Sequence, residues 1–208
     1  MDNSQLKKIT ASFLDVEPLF KKKKKLLQEA RQTRRKLKTK LNEYSFLKTL
    51  VGLEIKDKEL ELAVKECFES FGFDKVEWVA QAFKEEDLRV WYGNKLIIFE
   101  VTGKGGEQPS HEKIFQIDRH VPIKKKQFKE YEVHGGFIAN HHSKISFDQR
   151  HKKPFDEKVN VLAKGSEISL LTTVDILNSF IKFKTGKLTL DDFVTQLCTP
   201  GIFKVLET

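Results

Sequence analysis

Apolar residues recur at two different spacings along this chain, and the change from one to the other marks out its elements. Leu60, Val64, Cys67, Phe68 and Phe71 fall three or four apart, which predicts an amphipathic helix ending near Gly72. Residues 76–83 read as a strand. Residues 87–100 then read as two strands joined at Gly93-Asn94, a dipeptide favoured in two-residue hairpin turns. Residues 111–131 are mostly helical, anchored by Ile114, Ile117, Val121 and Phe128, and Pro122 is expected to break or kink them. Residues 135–140 predict a short apolar strand flanked by the loop-friendly Gly135 and Asn140. A charged loop follows over 141–154, then a short helix over 157–164 and a second buried strand over 168–172. Residues 174–182 and 190–198 are closing helices, capped by Thr173 and Thr189. With no internal repeat, this order predicts an α/β domain over 51–208, a central mixed sheet flanked by helices.

Residues 1–50 behave differently. They read as one polar helical arm in which residues 15–18 start a helix, with Pro18 in its first turn. Leu26, Ala30, Thr33, Leu37, Leu41, Tyr44, Leu47 and Val51 recur at spacings of three or four. That stripe is narrow and seam-like, as in a helix that pairs with a second helix or packs on the domain. Gly52 and the charged stretch 54–59 separate the arm from the domain.

Charge sharpens the division. Residues 21–40 hold eleven Lys or Arg and one acid, a balance of +10, so the remainder of this +8 chain sums to −2. The basic character belongs to one segment. Lys21, Lys22, Lys23, Lys24, Lys25, Arg34 and Arg35 there make a candidate phosphate-binding patch; a solvated helix face is the bland alternative. The absence of a signal peptide and of a long apolar run, with Cys67 and Cys198 read as buried free thiols, predicts a cytoplasmic protein.

The candidate chemistry lies on the hairpin. A turn at Gly93-Asn94 pairs Tyr92 with Lys95, and counting outward sets Asp87 opposite Glu100 on one face. Two carboxylates so placed repel each other unless a cation or proton stands between them, and a divalent metal is the usual answer. Glu100 also ends the apolar run Leu96-Ile97-Ile98-Phe99, where it is poorly solvated unless it has a partner. Glu85, Asp87 and Arg89 share one side of their strand, and Glu100, Thr102 and Lys104 share a face of theirs. In metal-assisted phosphodiester hydrolysis the acids hold Mg²⁺, which polarises the phosphate and lowers the pKa of the attacking water, while a lysine stabilises the developing charge. Polar strand ends facing water are the dull alternative.

Ile97-Ile-Phe-Glu-Val-Thr-Gly103, with Asp87-Leu-Arg89 before it, resembles the core of the PD-(D/E)XK, or restriction-endonuclease-like, superfamily. Residues 58–64 resemble the opening helix of its Mrr-like members, with Glu61 at the helix glutamate, and Phe71-Gly-Phe73 resembles the helix exit. Gln116 matches the glutamine on the helix after the core strands, and residues 137–141 and 170–175 resemble later strands. The resemblance spans roughly residues 55–203. It implies a metal-dependent endonuclease, with DNA as the substrate by family analogy. Asp87, Glu100 and the Val101 carbonyl would hold Mg²⁺, for which Mn²⁺ can substitute, and Glu61 and Gln116 would support them. One departure matters: Thr102 stands where the family lysine is expected. Lys104, two residues on, is assigned its role. Two other readings stay open, a catalytically inactive module that binds nucleic acid and an assembly subunit using residues 13–51 as a helical interface. Double-strand cutting needs two sites, so a homodimer is expected.

Overall fold

In the computed structural model, residues 3–79, 86–103, 111–150 and 154–204 are described, without the side chains of 6–17 and 111. The chain divides into two compact units, residues 1–45 and 46–208. The first is one long helix, α1 (Asn3–Glu43). It begins well before residue 15 and carries Pro18 in its interior, where a proline at the first turn was expected. Proline removes one hydrogen bond and leaves the turns on either side free to form.

The second unit is built on a six-stranded sheet in the order β1 (Lys75–Trp78), β2 (Leu88–Tyr92), β3 (Lys95–Thr102), β4 (Glu132–Ala139), β5 (Ile168–Thr172) and β6 (Gly201–Ile202). The first three strands are antiparallel neighbours, and β3 to β6 run parallel. The predicted first strand ends at Trp78, with residues 80–85 outside the described set, and β6 was not foreseen because two residues carry no alternation. Around the sheet lie α2 (Phe46–Leu50), α3 (Asp57–Phe71), α4 (His111–Gln127), α5 (Glu157–Gly165), α6 (Thr173–Lys184) and α7 (Leu190–Leu197). The sheet is mixed and flanked by helices, as the alternation of elements predicts.

The core divides by face. Leu96 and Ile98 of β3 pack with Ile114, Ile117 and Val121 of α4 and Val159 of α5. Phe99, pointing the other way, meets Phe68 of α3, and Phe71 stacks on Phe193 of α7 with ring centres 4.4 Å apart. All five predicted anchors of α3 are buried, and the helix stops at Gly72 in the left-handed region. Helix α4 continues past Pro122 to Gln127, so the proline does not break it. Pro122 is exposed, and Ile117 and Val121 hold the helix against the sheet beside it. Gly135 lies inside β4, where a loop-friendly strand end was expected. A Cβ there would stand 2.6 Å from Ile117, and one at Gly136 would stand 2.3 Å from the Phe99 ring. These glycines let α4 and β3 approach the strand closely. The capping box of α6 is made by Thr172 and Asp175, one residue earlier than the expected cap.

Arg150 also departs from expectation. It lies in the charged loop expected over 141–154, yet its guanidinium is buried, donating to Asn140 Oδ1 and to the carbonyls of Val51 and Gly52 at 2.9 and 3.3 Å. It ties the segment before α3 to the end of β4, and those bonds leave it no free fork for a phosphate. Lys152 and Lys153 lie outside the described residues.

Candidate active site

The hairpin register places the two acids. Pairing runs from Tyr92↔Lys95 to Leu88↔Phe99, and the ladder stops one step before Asp87 and Glu100. There the Asp87 N–H donates to the Phe99 carbonyl at 2.9 Å, and Asp87 Oδ2 accepts the Val101 N–H at 2.7 Å. The carboxylate thus takes an N–H that the next ladder residue would otherwise have paired. Because N–H and C=O of one strand residue point to the same side, the Val101 carbonyl also faces the Asp87 side of β3.

Glu100 shares the face of Leu96 and Ile98, under α4, and is only 3% exposed. A buried carboxylate needs a counter-charge. Lys113, in the first turn of α4, supplies it, with Nζ 2.6 Å from Glu100 Oε2. Burial and then the charge of Glu100 push the Asp87 carboxyl up to about 7, against the opposing Val101 N–H and Lys113 charge. Burial likewise raises Glu100, with Lys113 resisting. Burial works against the charge on Lys113, but the bond to Glu100 and the charges of Glu100, Asp87 and Asp57 outweigh it, and its pKa rises. The charge of Glu100 raises Asp87, those of Glu86 and Glu61 raise Glu100, and one lysine answers both acids.

Helix α3 reaches the same place from the other face. Glu61 is buried and accepts the Trp78 indole N–H at 2.7 Å; burial raises its pKa, and the charge of Asp87 adds to the rise. Asp57 accepts the Gly103 N–H at 2.7 Å, and a Cβ at Gly103 would stand 2.6 Å from the Ile55 carbonyl, so glycine is required as β3 ends. On α4, Gln116 is half-buried, and its Oε1 has no hydrogen-bond partner among the described residues. Behind Glu100 sits a charged cluster absent from the sequence reading. Buried Glu86 binds Arg89 and stands 3.4 Å from Lys124, and His120 Nδ1 lies 3.8 Å from Glu100 and 4.0 Å from Glu86.

Among the described residues no three His, Cys, Asp or Glu side chains form a metal-holding group. The available donors are two carboxylates and a carbonyl, all hard oxygens. That set suits Mg²⁺, which is commonly held by one or two carboxylates with water and substrate phosphate completing the shell. A cation between Asp87 and Glu100 would also take the place of the proton that burial and mutual repulsion favour on Asp87.

Of the other expected residues, Lys104 and Glu85 lie outside the described set. Thr102 is half-buried, and its carbonyl accepts the Asn140 N–H at 2.9 Å. Lys21, Lys22, Lys23, Lys24, Lys25, Arg34 and Arg35 are exposed on α1, within the first unit. Lys113 was missed, although a signal existed. It lies one turn before Gln116 on a helix whose inward row is Ile114, Ile117 and Val121, so both flank the buried face.

This fold has solved counterparts. The restriction endonuclease FokI aligns with a TM-score of 0.58 at 15% identity over 75% of this chain. FokI bound to DNA aligns with 0.57 at 13% identity over 77%. In each case the match spans 30% of the other chain. No protein-family model and no curated protein matches the sequence. The likeness is one of architecture, a mixed sheet flanked by helices.

Proposed function

We propose that this protein is a metal-dependent nuclease that hydrolyses phosphodiester bonds in DNA. The observation that carries the reading is the meeting of Asp87, Glu100 and Lys113 at the end of the β2–β3 hairpin. Asp87, Glu100 and the Val101 carbonyl would hold Mg²⁺, or Mn²⁺ in its place. A bound divalent cation supplies Lewis acidity toward the phosphate oxygens and lowers the pKa of water. The water oxygen bonds to phosphorus and gives up its proton, while the bond from phosphorus to the leaving sugar oxygen breaks and that oxygen gains a proton. Lys113 is assigned the ammonium role that Thr102 leaves open, orienting the water and offsetting charge on the phosphoryl oxygens. Glu61 and Gln116 support the site from its two sides. DNA as substrate rests on likeness to a DNA-bound endonuclease.

Thr102 at the family's lysine position favours a second reading, a module that binds nucleic acid without cutting it. Lys113 weakens that reading, because an ammonium already stands on Glu100. The test is nicking of supercoiled plasmid with Mg²⁺ or Mn²⁺. The wild type should cut, and Glu100→Ala and Lys113→Ala should each lose about a hundredfold or more. Activity that survives Lys113→Ala and disappears in Lys104→Ala would move the role to Lys104. A wild type that binds DNA and cuts with neither ion would leave the non-catalytic module standing.

A further inference from the structure

Helix α1 carries an apolar line that nothing in the nuclease reading uses. At about 100° per residue, Leu19, Leu26, Ala30, Thr33, Leu37 and Leu41 fall in a sector roughly 80° wide. The leucines are open to solvent: Leu26 is 55% exposed, Leu37 58% and Leu41 61%. Leu27 and Phe20, also exposed, lie beyond its edge with Lys23 and Arg34 standing between, so the unbroken apolar line has the width of a helix-pairing seam. Ala30 and Thr33, both small, sit mid-seam where a second backbone comes closest.

The flanks decide what pairs with it. Lys22 and Lys40 border the seam on one side, Lys23 and Arg34 on the other, and residues 21–40 carry a balance of +10. Residues beside a pairing seam set partner choice through charge. A second copy would bring the same lysines and arginine against each other, with axes only about 10 Å apart. Nucleic acid would match the charge but leave the leucines in water. It has its own surface on the opposite side of α1, where Lys21, Lys25 and Arg35 point. We infer that the seam of α1 docks an acidic amphipathic helix of a partner protein, whose apolar line covers Leu26, Leu37 and Leu41 and whose carboxylates meet Lys22, Lys23, Arg34 and Lys40.

The test uses the full chain and labelled synthetic helices with leucines at the intervals of the seam, in forward and reversed order, flanked by glutamates. A peptide of the same composition in scrambled order is the control. Fluorescence anisotropy should show one ordered peptide binding at least about tenfold more tightly than the scrambled one. The exposed pair Leu26→Ser and Leu37→Ser should remove that preference, with helicity by circular dichroism and plasmid nicking unchanged. Equal binding of ordered and scrambled peptides would reduce the seam to bare charge and overturn the proposal. So would dimers of the full chain that the leucine pair dissociates, or binding to duplex DNA or anionic vesicles that the leucine pair abolishes. Because nicking is scored separately, failure here leaves the nuclease reading untouched, and the reverse also holds.

Discussion

Asp87 is held between two demands. Its carboxylate caps β3 by accepting the Val101 N–H, yet burial and the charge of Glu100 raise its pKa from an ordinary 3.8 to about 7. The consequence for stability has a definite sign. Below pH 4 folded and unfolded chains both hold the proton. Between pH 4 and 7 the unfolded chain releases it while the folded chain keeps it, so stability falls as pH rises across that window and stays low above it. Asp87→Asn keeps an acceptor for Val101 and removes the titration. In metal-free buffer at pH 8 the variant should be more stable than wild type by about 2–4 kcal/mol, with the gap closing at pH 4. Urea melts at the two pH values measure this, and an equal gap at both would show that the carboxyl is not strained by its surroundings.

The pairing of α4 with the sheet depends on what β4 lacks. Gly135 and Gly136 leave room for Ile117 on one face and the Phe99 ring on the other. Close approach here is what brings the first turn of α4 over Glu100. Gly136→Ala pushes a methyl against a buried ring that has no free side, and should destabilise the domain by about 1–3 kcal/mol. Since Phe99 immediately precedes Glu100, a drop in nicking per folded molecule should accompany the loss. A denaturation midpoint equal to that of wild type would mean that the ring yields more easily than the packing implies. The αL stop at Gly72 is a local device legible from residue type, whereas the capping box of α6 falls on Thr172 and not on the adjacent Thr173 that was expected.

Across the chain as a whole, charge is segregated: a +10 segment in α1 and a remainder of −2. If Lys21, Lys25 and Arg35 contact phosphates, their replacement by glutamine should weaken duplex binding. It should also flatten the dependence of log K on log salt by up to about three, as about three fewer counterions are released. Nicking at saturating DNA should change little. A slope that stays the same would assign phosphate contact to the domain and leave the arm to its leucine seam. No described helix is long and apolar enough to cross a membrane. If the protein cuts both strands as a homodimer, double-strand breaks should rise more steeply with enzyme concentration than nicks do.

Local rules carried a good part of this protein. A two-residue turn sets the register of the strands beside it, and period-two alternation then brings Asp87 and Glu100 toward one sheet end; both follow from residues within fourteen positions of each other. The anchors of α3 and α4 follow from helical spacing in the same way. Side chains brought together from afar did not yield to such counting. That Lys113 stands on Glu100, that Arg150 is buried against Val51 and Gly52, and that Glu86 turns inward beside Lys124 all depend on how helices rotate and settle against a sheet. That settling is governed by the summed packing of Ile114, Ile117, Val121, Phe99 and two glycines. Periodicity along the chain says which face of an element is buried; only the fit between elements says which charged residue at the edge of that face reaches the acid.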